Sequence, residues 1–384
     1  MRVLYVINSL GTGGTERSVA ELLDPLSALG IDPAVAILEP WAAGVEQAVR
    51  SQGIPLQVLG RQLWRALPTL RRSLAQLRPA LVHTALFESD VVGRLAAVRT
   101  GVPVLTSLVN TGYEPERLAD PNIKRWRLDG VRWIDGFTGR HLTAHFHSVS
   151  QSTKESAVRW LKLDPDQITV IERGRDPTRL GEPGAGRRHQ SRKALGHGPD
   201  DEVIVSVGRH EFQKNQVMLV EAVGRLSERG RLVLLIAGRR GHASAVLEEA
   251  IARLPDPGRV RLLGHRDDVP EVLAAADLFV LTSRYEGLPG AVIEAMALGL
   301  PIVATAIPPV REIVEPDENG LLVTPGDSGA LATAMRRLLD DAPLRSRMGI
   351  RSRALFLERY TLARSAHRMA CLYQHVVDRD RGHQ

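Results

Sequence analysis

At 384 residues the chain is too long for one hydrophobic core and implies two domains. Its 43% apolar and 24% charged residues are those of an ordinary globular protein, and a net charge of +6 without a basic tail argues against a nucleic-acid partner. One cysteine, Cys371, excludes an internal disulfide and a cysteine-based metal site, and points to a reducing, cytoplasmic setting with the thiol packed on an amphipathic helix.

The chain opens on a strand-like run, Val3–Ile7, with no small-residue cleavage site, which reads as core and not as a signal peptide. Further strand-like runs follow at Ala34–Leu38, Leu56–Leu59, Leu81–His83, Val104–Leu108, Phe146–Ser150 and Ile168–Ile171. Helical patterns lie between most of them, among them Thr15–Leu29 and Trp64–Leu77. Continuously apolar strands alternating with helices predict a parallel sheet covered on both faces.

The first strand–helix turn reads Leu10-Gly-Thr-Gly-Gly-Thr-Glu-Arg17. Gly13 and Gly14 allow close backbone approach and Thr15 is placed to cap the next helix, so a phosphate or sugar can sit there. A dinucleotide-binding turn, hence an NAD(P) oxidoreductase, is the competing reading, with Glu39 ending the second strand. Yet Glu16 stands where that fingerprint needs its third glycine, and a carboxylate beside a pyrophosphate is repulsive.

In Gln62–Leu77, Leu63, Leu67, Leu70, Leu74 and Leu77 form one stripe beside Trp64, with Arg61, Arg65, Arg71, Arg72 and Arg78 around it and Pro68 predicting a bend or break. Leucines packed in the core with snorkelling arginines is the common outcome of such a pattern. Peripheral contact with an anionic membrane surface is the other, and would put the protein at the inner face of the membrane.

Gly181–Asp201 is rich in Gly, Pro and charge, as expected of a linker flowing into a short helix. A second α/β series follows at Val203–Val207, Leu232–Ala237, Val260–Leu263, Leu278–Leu281, Ile302–Ala304 and Gly320–Val323, and the tail from Ser328 to about Asp378 reads as helices. Two doubly wound domains of this kind leave a cleft between the carboxyl ends of their strands, where such sheets bind ligands. The stretch Gly287–Val310 holds a single charge, Glu294, but its four prolines exclude a membrane span.

Three strand ends of the second series carry candidate chemistry. Gly208 and Arg209 leave the first strand and Lys214 precedes helix Val217–Leu226; two cations with a helix N-terminus can neutralise a diphosphate leaving group without a metal. Gly264 and His265 end another strand, which reads either as a place for backbone contacts to a nucleobase or as a simple strand exit. The third is Glu286-Gly-Leu-Pro-Gly-Ala-Val-Ile-Glu294, a strand, a tight turn and a helix start bounded by two carboxylates. If the helix begins near Pro289, Glu294 lies on its second turn and Glu286 on the turn before it, so carboxylates flank a phosphate on both sides and can grip hydroxyls there. Asp164-Pro-Asp166 and Asp378-Arg-Asp380 spell the acidic pair that binds a cation in metal-dependent sugar transfer, but neither ends a buried strand, and no metal site is expected.

Taken in order, Gly13-Gly14-Thr15-Glu16-Arg17, Ser148-Val-Ser150, Val207-Gly-Arg209 with Lys214, Leu263-Gly264, Glu286-x7-Glu294 and Gly299-Leu-Pro-Ile-Val-Ala304 with Glu312 resemble the retaining GT-B glycosyltransferases of family 4. The resemblance implies two Rossmann-like doubly wound parallel-sheet domains facing across a cleft. An acceptor domain would span residues 1–183 and a nucleotide-sugar domain 184–356, with a last helix, 357–384, crossing back to the first. It implies that Arg209 and Lys214 hold the diphosphate, that Glu294 takes ribose hydroxyls and Glu286 the donor sugar's. Gly287, Leu288 and Gly290 would offer the turn's amides, although Pro289 has none. No cofactor is implied; the substrate is a nucleotide-diphosphate sugar, UDP-sugar favoured, and the acceptor a hydroxyl of a glycan or a lipid-linked precursor. A nucleotide-sugar epimerase of the same architecture is the nearest enzymatic alternative. Departures fall on the acceptor side. The histidine of the usual Thr-x-His is absent from Thr106-Ser-Leu-Val-Asn110, leaving Asn110 as its replacement, and the usual Pro-Asn-Gly-Val-Asp reads Glu172-Arg-Gly-Arg-Asp176.

Overall fold

The computed structural model describes residues 1–41 and 44–382. The chain divides into two compact units, Met1–Arg175 with Thr361–Gln384, and Asp176–Tyr360.

The first unit runs β1 (Arg2–Ile7), α1 (Gly14–Ala28), β2 (Asp32–Ile37), α2 (Glu46–Ser51), β3 (Leu56–Val58), α3 (Leu63–Leu77), β4 (Leu81–Ala85), α4 (Phe87–Ala97), β5 (Val104–Leu108), α5 (Arg125–Leu142), β6 (His145–Ser148), α6 (Gln151–Leu161) and β7 (Ile168–Val170). Its seven strands form one parallel sheet in the order β3-β2-β1-β4-β5-β6-β7. The central strands are the apolar runs of the sequence: every residue of β1 except Arg2, and all of β4, is buried, because helices cover both faces.

The second unit runs α7 (Pro177–Leu180), α8 (Ala185–Leu195), β8 (Glu202–Val207), α9 (Gln216–Gly224), β9 (Leu232–Ala237), α10 (Ser244–Ala252), β10 (Val260–Gly264), α11 (Val269–Ala274), β11 (Leu278–Leu281), α12 (Gly290–Ala297), β12 (Ile302–Thr305), α13 (Pro308–Arg311), β13 (Gly320–Val323), α14 (Ser328–Asp340) and α15 (Ala342–Arg359). Its parallel sheet has the order β10-β9-β8-β11-β12-β13. The last helix, α16 (Leu362–Arg381), belongs to the first unit, where Leu362, Ala366, Met369 and Tyr373 share a core with α1 and the face of β1. In each sheet the strand order reverses once, at β1/β4 and at β8/β11, which is where ligand crevices form in such folds. The Gly13 loop follows β1 and the Arg209–Lys214 loop follows β8, so both candidate loops leave their sheets at the reversal.

All thirteen expected strands are present with ends within two residues. Elsewhere the structure corrects the sequence. Pro68 does not break α3, which runs through it while Ala66, Leu70 and Leu74 enter the core; the leucine stripe is therefore mostly interior. Thr15 is not the cap of α1: the cap is Gly13, and Thr15 lies in the first turn. Cys371 is exposed on α16, where the apolar stripe of that helix faces away from it. The short helix expected in the Gly/Pro-rich stretch is present as α8, pinned by buried Arg192, whose guanidinium lies 2.6 Å from Asp277 Oδ2 and donates to Ala275 O at 3.0 Å. Among the described residues, no helix is long and apolar enough to cross a membrane.

Candidate active site

In the second unit three strand ends converge through glycine. Gly208 N donates to Ala237 O at 2.9 Å and Gly238 N to Gly264 O at 2.8 Å, so the backbones leaving β8, β9 and β10 form one continuous floor. A methyl on Gly238 would stand 2.0 Å from Gly208 O, a contact only glycine avoids. Gly264 has φ +67, the left-handed conformation that lets the chain turn off β10. His265, beside it, is exposed with Nε2 3.4 Å from Asp267 Oδ1. The sequence marks Ala237-Gly-Arg-Arg-Gly241 as a glycine turn ending a strand, but not the contact of Gly238 with Gly208.

Over this floor lies Lys214. Its stem passes 3.2–3.3 Å from where a methyl on Gly208 would be. It closes a single helical turn, Phe212–Lys214, that Asn215 ends at φ +48. That turn is tied to the loop after β11 by Thr282 Oγ1 donating to Lys214 O at 2.9 Å, Arg284 N to Gln213 O at 2.8 Å and Gln213 Nε2 to Tyr285 O at 2.9 Å. The consequence is a fixed carboxylate. Glu286, 6% exposed, receives Lys214 Nζ at 2.5 Å and Ser283 Oγ at 2.7 Å on Oε1, and Gln213 Nε2 at 3.2 Å on Oε2.

The structure thus brings Lys214 and Glu286 together as an ion pair, whereas the sequence assigned them to different parts of a ligand. Arg209 is half-exposed and pairs with Glu211 Oε1 at 3.4 Å. Glu211 also meets His242. Gly287 and Leu288 are buried, with Leu288 anchoring the turn, and Gly290 is the first residue of α12. The cap of α12 is Pro289 with no side-chain hydrogen bond, and Glu294 is buried on the second turn, as its spacing required.

In the first unit the loop after β1 is differently equipped. The carboxylate of Glu16 folds back over the start of α1: a methyl on Gly13 would lie 2.3 Å from Glu16 Oε2. An anion of the chain's own therefore stands at the helix end where a dinucleotide's pyrophosphate would have to bind. Arg173 Nη1 comes within 3.4 Å of a methyl on Gly14, and Arg175 Nη1 donates to Ser18 Oγ at 3.1 Å, so both arginines of the unusual Glu172–Asp176 segment reach α1. Gly174 between them is obligatory, since a methyl there would meet Thr361 O at 2.3 Å. Thr15 lines a cavity of about 50 Å³, with Ser18, Ser107, His147, Arg173 and Met369 among its walls. Asn110 is exposed on the loop after β5.

Behind that cavity a chain of buried polar groups crosses the sheet, which no spacing in the sequence announces. His147 Nε2 lies 2.9 Å from Ile171 O, and its Nδ1 2.7 Å from Ser107 Oγ; Ser107 Oγ is 2.7 Å from His83 Nε2, and His83 Nδ1 is 2.7 Å from Tyr373 OH, which meets Tyr5 OH. Burial pushes His83 down to about 3, with help from His147, and burial likewise takes His147 down to about 4, so both rings are neutral at physiological pH. The carbonyl at one end can only accept, which fixes every proton in turn. His147 donates from Nε2 and accepts from Ser107. Ser107 accepts from His83 Nε2–H, His83 accepts from Tyr373, and Tyr373 from Tyr5. Although a serine stands between two histidines, neither ring is basic enough to activate it, and the chain is a structural lock.

Two doubly wound parallel sheets in one chain, each with a glycine loop at its reversal, define the GT-B architecture of glycosyltransferases. Glycosyltransferase Family 4 matches residues 12–179 and Glycosyl transferases group 1 matches residues 187–355. The D-inositol 3-phosphate glycosyltransferase of Xylanimonas cellulosilytica is 32% identical over 291 residues, 71% of this chain and 67% of that one. The chain belongs to the family 4 glycosyltransferases. It is similar, at 28% identity over 283 residues, to the UDP-Gal:alpha-D-GlcNAc-diphosphoundecaprenol alpha-1,3-galactosyltransferase of Escherichia coli, covering 73% of this chain and 71% of that one. The crystal structure of Anabaena HepE in complex with UDP-glucose shares the fold, with a TM-score of 0.87 over 97% of this chain and 99% of that one at 21% identity.

Proposed function

We propose that this glycosyltransferase takes its sugar from a nucleoside diphosphate, a UDP-sugar favoured, and transfers it with retention of configuration to a hydroxyl of a glycan or lipid-linked acceptor. The observation that carries this reading is the Gly208–Gly238–Gly264 floor with Lys214 and Glu286 clasped above it. Backbone without side chains leaves room for a flat nucleotide, and a lysine held by a buried carboxylate is a cation that cannot swing away. Arg209 and Lys214, not a metal ion, neutralise the leaving diphosphate, and the start of α12 adds its dipole. Glu286, oriented by three donors, accepts from the donor sugar; Glu294 accepts from ribose. As the C–O bond to phosphate ionises, the acceptor hydroxyl attacks from the face the diphosphate leaves, its proton passing to a leaving-group oxygen. The undecaprenol-linked substrate of the Escherichia coli relative supports a lipid-linked acceptor, and Glu16 over Gly13 disfavours dinucleotide binding.

The test is a thermal-shift panel of UDP, GDP, ADP and NAD, followed by UDP release from UDP-sugars. A shift of several degrees with UDP, and none with NAD, is expected. A response to NAD alone would overturn the assignment.

A further inference from the structure

Helix α5 is built inside out. Its inner face, against α4 and α6, carries Leu128, Asp135, Gly136, Thr138 and Gly139, all buried. Its outer face carries Trp126, Trp133, Ile134 and Phe137, and the two indoles are 68% and 67% exposed. At 100° per residue, positions 126, 133 and 137 fall within about 40° of one another, so three rings form a single ridge. Amphipathic helices ordinarily put such residues inside.

The inversion is not loose packing. Asp135 Oδ1 is 2.7 Å from the fully buried Arg94 Nη1, Tyr113 OH donates to Asp135 Oδ2 at 2.8 Å, and Thr138 Oγ1 is 3.0 Å from Arg94. A methyl on Gly136 would come 3.1 Å from Leu161 O. The helix is bolted down by its polar side, which leaves its aromatic side as a surface.

Cations frame that ridge. Lys124, Arg125 and Arg127 are exposed at its start, and Arg140 and His141 flank it further on. The carboxylate on its outer half, Asp129, is already taken by Arg132 at 3.0 Å. The neighbouring layer repeats the pattern: α3 packs on α4 and α4 on α5, and α3 opens with exposed Leu63 and Trp64. Since both helices leave carboxyl ends of strands in one parallel sheet, Trp64 and Trp126 start from the same edge of that layer. Arg65 lies 4.6 Å from the Trp64 ring and Arg127 5.1 Å from that of Trp126.

We propose that this face seats on the surface of an anionic lipid bilayer, with Trp126, Trp133 and Phe137 at the boundary between headgroups and acyl chains and the arginines on lipid phosphates. A second copy of the chain fits badly, because a twofold contact would set the cations against themselves. Single-stranded nucleic acid fits badly too, because Trp133 and Phe137 already stack on each other, 5.6 Å apart and 11° from parallel, and leave no slot for a base. The proposal rests on this surface alone and not on the donor assignment.

Flotation of the full chain with vesicles tests it, using phosphatidylcholine alone against phosphatidylcholine with about one third phosphatidylglycerol. The expected result is binding to the anionic vesicles, weakened by roughly 0.5 M salt. Binding should fall at least tenfold in Trp126→Ser/Trp133→Ser and in Arg125→Glu/Arg127→Glu, both of which should unfold at the wild-type temperature and keep the wild-type response to UDP. Equal binding to neutral and anionic vesicles, or variants that float like the wild type, would overturn it. Loss in these variants of self-association, or of polyuridylate binding, with flotation unchanged would hand the face to another partner. Failure of UDP to bind at all would leave the vesicle result standing.

Discussion

Lys214 Nζ lies 2.5 Å from Glu286 Oε1, so the cation proposed for the diphosphate and the carboxylate proposed for the sugar are one hydrogen-bonded unit. Removing either should damage both functions. Lys214→Ala is expected to lower kcat/KM at least a hundredfold and stability by about 2 kcal/mol, because it leaves Glu286 buried without its cation. Glu286→Gln should cost less stability and a comparable share of activity. A double-mutant cycle on urea midpoints and UDP release checks this, and additive effects would show that the pair does not work as a unit.

Two of the three floor glycines should separate stability from binding. Gly238→Ala puts a methyl against the carbonyl of Gly208, and neither backbone can give way; a loss of about 3 kcal/mol is expected. Gly208→Ala meets only the flexible stem of Lys214, so stability should fall by less than about 1 kcal/mol while Lys214 moves and the KM for donor rises about tenfold. Denaturation curves and donor kinetics on the two variants would expose the reverse ordering if the floor is merely structural.

The neutral histidines make acid a destabiliser. His83 and His147 titrate at about 3 and 4 in the folded chain against 6.5 unfolded, so below 6.5 the unfolded chain binds more protons. Their contribution is complete above about pH 6.5 and drains away as the pH falls from there towards 4 and then 3. Together they should make the protein about 3 kcal/mol less stable at pH 5.5 than at pH 7.5. Urea unfolding across that range measures it, and His147→Gln should remove about half of the slope.

The bolt beneath α5 can be tested by breaking it and then repairing it. Arg94→Met leaves Asp135 charged in the interior and should cost on the order of 3–5 kcal/mol, while Arg94→Met/Asp135→Asn should recover at least half of that. Asp90, one turn before Arg94 on α4, is pushed up to about 7 by burial with Arg94 opposing, and in the Arg94 variant it should take up a proton at neutral pH. Calorimetry on the three proteins decides; no rescue in the double variant would mean that Arg94 acts by volume alone.

The strands were legible because a parallel sheet covered on both faces needs uninterrupted apolar runs, such as Leu278–Leu281 and Ile302–Thr305, set off by glycine, proline or polar residues. The Gly208–Lys214 and Glu286–Glu294 segments were legible because strand, glycine and helix follow one another locally. What escaped was whatever the fold assembles from afar or against rule. The lock through Tyr5, His83, Ser107, His147 and Tyr373 takes one residue from each of five elements. Helix α5 carries three glycines and points its aromatics outward, so its periodicity gives no warning of which side is in. The Lys214–Glu286 clasp joins two motifs whose separate meanings were clear, but whose contact depends on β8 and β11 lying side by side.

The lock also says something about the order in which this chain can become itself on the ribosome. Tyr5 and His83 are synthesised before the whole of Asp176–Tyr360, and Tyr373 only after it. Until α16 arrives, the first sheet has a polar centre lacking one of its hydroxyls and an apolar face lacking its cover, whereas the second unit, continuous in sequence, has all of its strands to hand. Of the two units, the one begun first is therefore the second to be finished, and it waits on α16 for the proton that completes its interior.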